Sequence, residues 1–197
     1  MSIRLHDRKR VSPEESRAAA VAAARELLIE EGAAAVTLQA VARRIGRSHA
    51  NLLHHFGTAA GLSKALAEEI ARTVAASIEG AIEQRRLGEG TERDVIDAMF
   101  DAFRREGAGE LIGWIALTRQ REALEPVIAV IERILRVMRA AGDTRPVGRM
   151  TLGLTLLAIG DSLAGGEVAR ACSIEREAVR DVAIAQIEAL SGEALRD

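Results

Sequence analysis

Leu62, Leu66, Ile70, Val74, Ile78 and Ile82 return every fourth residue, an apolar stripe sustained far beyond the length of an ordinary strand and kept on one face by a helix. The stripe marks a long amphipathic helix from Thr58 to about Arg86. Neighbours of the same kind must cover it. The rest of the chain supplies them: start signals at Ser12-Pro13-Glu14-Glu15, Thr37, Ser48, Thr91, Pro126, Arg145 and Ser173, and stop signals at Gly32, Gly46, Gly57, Gly107-Ala108-Gly109 and Gly142. A short apolar helix over 111–121 holds Trp114, and the last two helices cover 145–171 and 173–190. Aromatic residues make up only 2% of the 197, with no Tyr, which argues against sandwiches and barrels. The expectation is an all-α fold of about nine helices, with residues 1–57 as one small unit and 58–197 as a larger helical domain.

Charge is distributed unevenly. Residues 1–64 carry ten Lys or Arg against six Asp or Glu, and the remainder seventeen against twenty-three. A basic end on an acidic body suits a polyanionic partner, although a scatter of solvated charges gives the same count. Four of the cations, Arg4, Arg8, Lys9 and Arg10, precede the first helix as a basic arm, and no apolar core of a signal peptide accompanies them. A lone cysteine, Cys172, excludes an internal disulfide and reads as a buried bystander in a reducing compartment. The longest uncharged apolar run, 150–160, is too short to span a bilayer, so a cytoplasmic protein without a membrane partner is expected.

Residues 37–56 read Thr-Leu-Gln-Ala-Val-Ala-Arg-Arg-Ile-Gly-Arg-Ser-His-Ala-Asn-Leu-Leu-His-His-Phe. Two short helices joined by a glycine turn form a helix-turn-helix, with Ala42 small enough for close crossing and Gly46 free to take a positive φ. The second helix, capped by Ser48, offers His49, Ala50, Asn51 and His54 to a major groove. Thr37, Gln39, Arg43, Arg47 and Ser48 stand where backbone phosphates would lie, alongside the basic arm. The same two-helix unit also occurs in enzymes and interaction modules.

Glu30-Glu31-Gly32, Thr37, Val41-Ala42, Gly46-Arg47-Ser48, Leu52-Leu53-His54-His55-Phe56 and Leu62 follow one another in the order found in the DNA-binding region of TetR-family transcriptional regulators, which residues 16–66 resemble. The resemblance implies a homodimer on a palindromic double-stranded operator, repression relieved by a small-molecule effector, and dimerisation through the last two long helices. It also makes His55 structural and His54 a phosphate neighbour. Two positions depart from the family pattern: Leu53 stands where a phosphate-binding Tyr is common, and Ala59 where a Lys is common. Arg43, Arg44, Arg47 and the arm are the available replacements.

Within the larger domain, Met99, Phe103, Trp114, Leu117, Ile134, Met138, Leu154 and Asp161 are candidates to line an effector pocket, with ordinary helix packing as the alternative. Asp161 interrupts an apolar stretch and must be hydrogen-bonded in the core or at a dimer interface, face a ligand cavity, or be exposed. Gly153, Gly160 and Ala164 form a small-residue strip, and Val179, Ala183 and Ile187 an apolar face, both suited to a dimer interface. His49, His54 and His55 lack the i, i+4 spacing of a helical zinc site, so neither metal nor cofactor is expected. No nucleophile–base pair or phosphate-cradling loop appears, so the chain reads as a regulator rather than an enzyme. The alternatives are a helical interaction protein with a decayed helix-turn-helix and, more distantly, an all-α enzyme.

Overall fold

A computed structural model describes residues 12–140 and 142–194. Within them lie nine α-helices and no strand: α1 (Pro13–Glu31), α2 (Leu38–Arg44), α3 (His49–Phe56), α4 (Ala59–Arg86), α5 (Glu92–Arg105), α6 (Ala108–Leu117), α7 (Glu125–Ala140), α8 (Val147–Ala171) and α9 (Ala178–Ala194). The basic arm, Arg4, Arg8, Lys9 and Arg10, lies outside the described residues.

Most starts follow the capping chemistry. Ser12 accepts a bond from the Glu15 N–H while the Glu15 carboxylate accepts one from the Ser12 N–H, a reciprocal box with Pro13 at the first helical position. Thr37, Ser48, Thr58 and Thr91 each accept an N–H three residues on. Three boundaries in the second half differ from the sequence reading. Gly109 does not break a helix; it sits inside α6, where a Cβ would collide with Ser162 of α8. Helix α6 therefore starts earlier, behind the left-handed Gly107, and residues 121–124 form a separate 3-10 turn. Ser173 caps nothing: with φ of 57° it ends α8, and α9 begins only at Ala178.

Helix α4 is the axis of the molecule. Its first turns bury Leu62, Ala65 and Leu66 against α1 and α3, and its later turns bury Ile70, Val74 and Ile78 against α5 and α7. The two parts of the chain thus share one continuous core, running from Leu28 and Leu52 to Phe100 and Ile115. Ion pairs tie the outer helices. Arg180 of α9 is buried, donates to Asp97 at 2.8 Å and Asp101 at 2.5 Å of α5, and lies over the Phe100 ring. Burial pushes the Asp101 carboxyl up, but Arg180 together with Arg105 and Arg104 outweighs it and holds the group below its ordinary value.

Helix α8 is 25 residues long with mean hydropathy 1.3 in its most apolar window, so by length and composition it could cross a membrane, which the shorter run 150–160 concealed. Part of that apolar surface is spent on the chain's own core through Met150 and Ala158. Asp161, near its middle, is buried and paired with Arg176 at 2.8 Å, and Arg176 also donates to the Asp161 carbonyl oxygen. Cys172 is exposed rather than buried, because it follows the last turn of α8.

Candidate nucleic-acid interface and effector cavity

The turn between α2 and α3 depends on Gly46, whose φ of 64° carries the chain round while the Arg47 N–H returns to the Ala42 carbonyl at 2.9 Å. Leu38, Val41 and Ala42 of α2 and Leu52 and Phe56 of α3 are buried, which fixes the crossing of the two helices. Arg17 of α1 locks α3 from behind: it donates to the His55 carbonyl at 3.3 Å and stacks on the Phe56 ring at 4.9 Å. His55 is thereby held in a structural position, half-buried, while His54 is exposed beside it.

The outward face of α3 carries His49, Ala50, Leu53 and His54, all exposed. Asn51 is the exception to the sequence reading. It is half-buried, and its Oδ1 is sequestered without a hydrogen-bond partner, so it points less freely outward than its neighbours. Thr37, Gln39, Arg43, Arg47 and Ser48 are exposed along the same side. The hydroxyls of Thr37 and Ser48 are engaged as acceptors for Ala40 and Asn51 N–H groups.

The three arginines of this unit divide. Arg44 binds Glu30 at 2.7 Å and Glu31 at 3.3 Å, with Glu26 at 3.7 Å, and so fastens α2 to α1 instead of replacing a phosphate contact. Arg43 and Arg47 have no ion-pair partner among the described residues. Between Glu31 and Glu68 the sequence holds no carboxylate at all, so an anion approaching α3 meets cations and dipoles but no acidic side chain on that segment.

Behind this unit lies a partly open apolar cavity lined by α4, α5, α6, α7 and α8, with Ile187 of α9. Of the expected lining residues, Met99, Phe103, Ile134, Met138 and Leu154 face it. Trp114, Leu117 and Asp161 do not: Leu117 is 84% exposed at the end of α6, Trp114 is half-buried away from the cavity, and Asp161 is committed to Arg176. Sequence reasoning missed the α4 side, Ile70, Val74, Ile78 and Ile82, since their four-residue stripe is equally what core packing requires.

The cavity and the α1 unit meet at the α5–α6 elbow. Phe103, Ala108 and Leu111 line the cavity there. On the opposite side of that elbow, Glu106 pairs with Arg25 of α1, and Glu110 accepts the Ala33 N–H at 2.7 Å. Gly107 seats against Leu28 of α1 so closely that a Cβ would press on it.

The expected dimer residues also divide. Gly153 faces Gln186 of α9 in the same chain, and Ala183 and Ile187 are buried in the core, so these three build the α8–α9 pair itself. Val179 is half-buried. Gly160 and Ala164 are exposed, and they share an outward face with Leu152, Leu156 and Leu163 of α8 and Val182 of α9, each more than half exposed.

Residues 20–66 match the family of bacterial regulatory proteins named tetR. No curated protein matches the sequence. Among solved structures, a Rhodococcus sp. RHA1 protein of unknown function is similar over 95% of this chain and 100% of its own, with 23% identity and a TM-score of 0.62. A Shewanella sp. PV-4 protein provisionally assigned to the tetR family of transcription regulators is similar over 87% of this chain and 95% of its own, with 16% identity and a TM-score of 0.51. At these identities the two structures speak for the fold.

Proposed function

From a chain whose N-terminal unit belongs to the TetR family of bacterial regulatory proteins, we propose a homodimeric repressor that binds a palindromic DNA operator and is released by a small-molecule effector. The observation that carries this reading is the exposed α3 face of His49, Ala50, Leu53 and His54, flanked by the unpaired Arg43 and Arg47 on a segment without carboxylates. A helix entering the major groove reads base edges through such a face, while flanking guanidiniums hold phosphates. The exposed apolar face of α8 and α9 supports a second copy as partner. A two-fold pair of recognition helices would then stand roughly 34–36 Å apart, one duplex turn.

Release follows from the α5–α6 elbow. A ligand filling the cavity moves Phe103, Ala108 and Leu111, and the same elbow holds α1 through Glu106 and Glu110. Only a difference in ligand affinity between the two arrangements shifts DNA binding, typically by about 1–3 kcal/mol of coupling. Selection of bound sequences from a random duplex pool, followed by fluorescence anisotropy on the winner and on the DNA flanking its own gene, tests the reading. A palindromic consensus bound at least a thousandfold more tightly than random duplex, a ratio of about 4 kcal/mol, is the expected result. Leu53 and Ala59 favour one rival: a helical interaction protein whose helix-turn-helix has lost DNA. Equal, weak binding to all sequences would establish that rival.

A further inference from the structure

The shape of the cavity narrows its occupant. Its α4 wall runs from Ala67 to Arg85, a rise of roughly 27 Å along the helix. A lining continuous over such a length suits an extended chain of methylenes. The walls agree: Ile, Val, Leu and Met dominate, and Phe103 is the sole aromatic among the lining residues, so there is no surface to stack a planar ligand or cage a cation.

Polarity is confined to one end. Glu92 sits between Arg85 at 3.1 Å and Arg145 at 3.1 Å, and Arg145 also grips Asp143 at 2.6 Å. Two guanidiniums face two carboxylates, so neither a buried anion nor a buried cation would find a surplus counter-charge there. Next to this cluster, Thr151 and Thr155 turn one face of α8 to the cavity, and their hydroxyls have no hydrogen-bond partner among the described residues. The opposite end, at Ala67, Leu111 and Ile115, has no polar side chain. An uncharged polar group can take hydrogen bonds from Thr151 and Thr155 while its tail fills the rest.

We infer that the cavity binds a neutral single-chain amphiphile, an aliphatic tail ending in a hydroxyl or carbonyl head held by Thr151 and Thr155. This rests on the reading of the cavity as the effector site. Calorimetric titration of the full-length protein with 1-decanol, decanoate, decyltrimethylammonium and naphthalene tests it, without DNA present. The expected result is tightest binding of 1-decanol, weakened about tenfold when both threonines become valine and restored when both become serine. Tighter binding of decanoate or of the ammonium would overturn the neutral head, and tighter binding of naphthalene would overturn the extended tail. Binding by none of the four, or valine variants that melt like wild type and bind 1-decanol as well, would overturn the whole assignment. Anisotropy with operator DNA is a separate arm: 1-decanol that binds without weakening operator affinity upholds this inference and removes the effector role instead.

Discussion

If the chain binds DNA as proposed, Leu53 and Ala59 are where its affinity is open to improvement. Leu53 is 39% exposed on the recognition helix, and Ala59 is exposed at the first position of α4, so both look outward with nothing to give a phosphate. The positions take larger side chains without touching the core, since the buried partners on these helices are Leu52, Phe56 and Leu62. The two substitutions should act differently. Leu53→Tyr adds a neutral hydroxyl and should strengthen operator binding by about 0.5–1.5 kcal/mol without changing its salt dependence. Ala59→Lys adds one phosphate neutralisation per subunit, so the slope of log K against log salt should steepen by about 0.9 for each subunit bound. Anisotropy over a salt series separates them. If neither variant binds more tightly, α3 does not approach the duplex in the manner of its family. Arg44 would be a poor choice for the same test, because its loss would release α2 from Glu30 and Glu31 rather than remove a phosphate contact.

Among the elements, the α5–α6 elbow is the one that serves both halves of the molecule. Glu110 caps the Ala33 N–H across the gap to α1, and Arg25 is held by Glu106 a turn earlier. Glu110→Ala should lower stability by only about 1 kcal/mol, one hydrogen bond's worth. It should leave ligand-free operator affinity near wild type and reduce the ratio of operator affinities with and without 1-decanol. An unchanged ratio would place the coupling elsewhere. Linkage requires that operator DNA weaken 1-decanol by the same factor that 1-decanol weakens the operator. This elbow is also where sequence reading failed. The N-terminal helices were legible because Ser12, Thr37, Ser48 and Thr58 act within three residues of themselves. Gly107 is legible as a stop, its φ of 71° suiting a helix boundary, but Gly109 carries no such local message: it is glycine because Ser162 crowds it. That cause lies far away in sequence. Asp161 and Trp114 misled for a related reason, since an apolar helix shows which residues are buried but not whether they face a cavity, a partner helix or an arginine such as Arg176.

At the scale of the whole molecule, one chain leaves an apolar surface that its own core does not use. Leu152, Leu156 and Leu163 of α8 and Val182 of α9 are 62%, 61%, 52% and 58% exposed, and Gly160 lies among them with open space beyond its backbone. That openness separates Gly160 from Gly153 and Gly165, whose missing side chains already admit Gln186 and Asp161 of the same chain. A glycine in mid-helix costs about 0.5–1 kcal/mol relative to alanine, and inside a single chain nothing offsets that cost at Gly160. A second α8 crossing at this point would. Gly160→Leu discriminates the two situations. In an isolated chain a Cβ at this position meets no atom within 4 Å, so helix propensity should make the fold slightly more stable. In a two-fold pair the same leucine is placed on both helices at their closest approach, and overpacking of about 1–3 kcal/mol per site opposes association. Sedimentation equilibrium should therefore find wild type dimeric at micromolar concentration and Gly160→Leu shifted toward monomer, with an undiminished melting temperature at low concentration. Operator affinity should fall in parallel, because a single recognition helix forfeits the effective concentration its twin provides. A monomeric wild type, or a Gly160→Leu variant that dimerises as well as wild type, would mean that the second copy docks elsewhere and that the spacing of the recognition helices is set by a different surface.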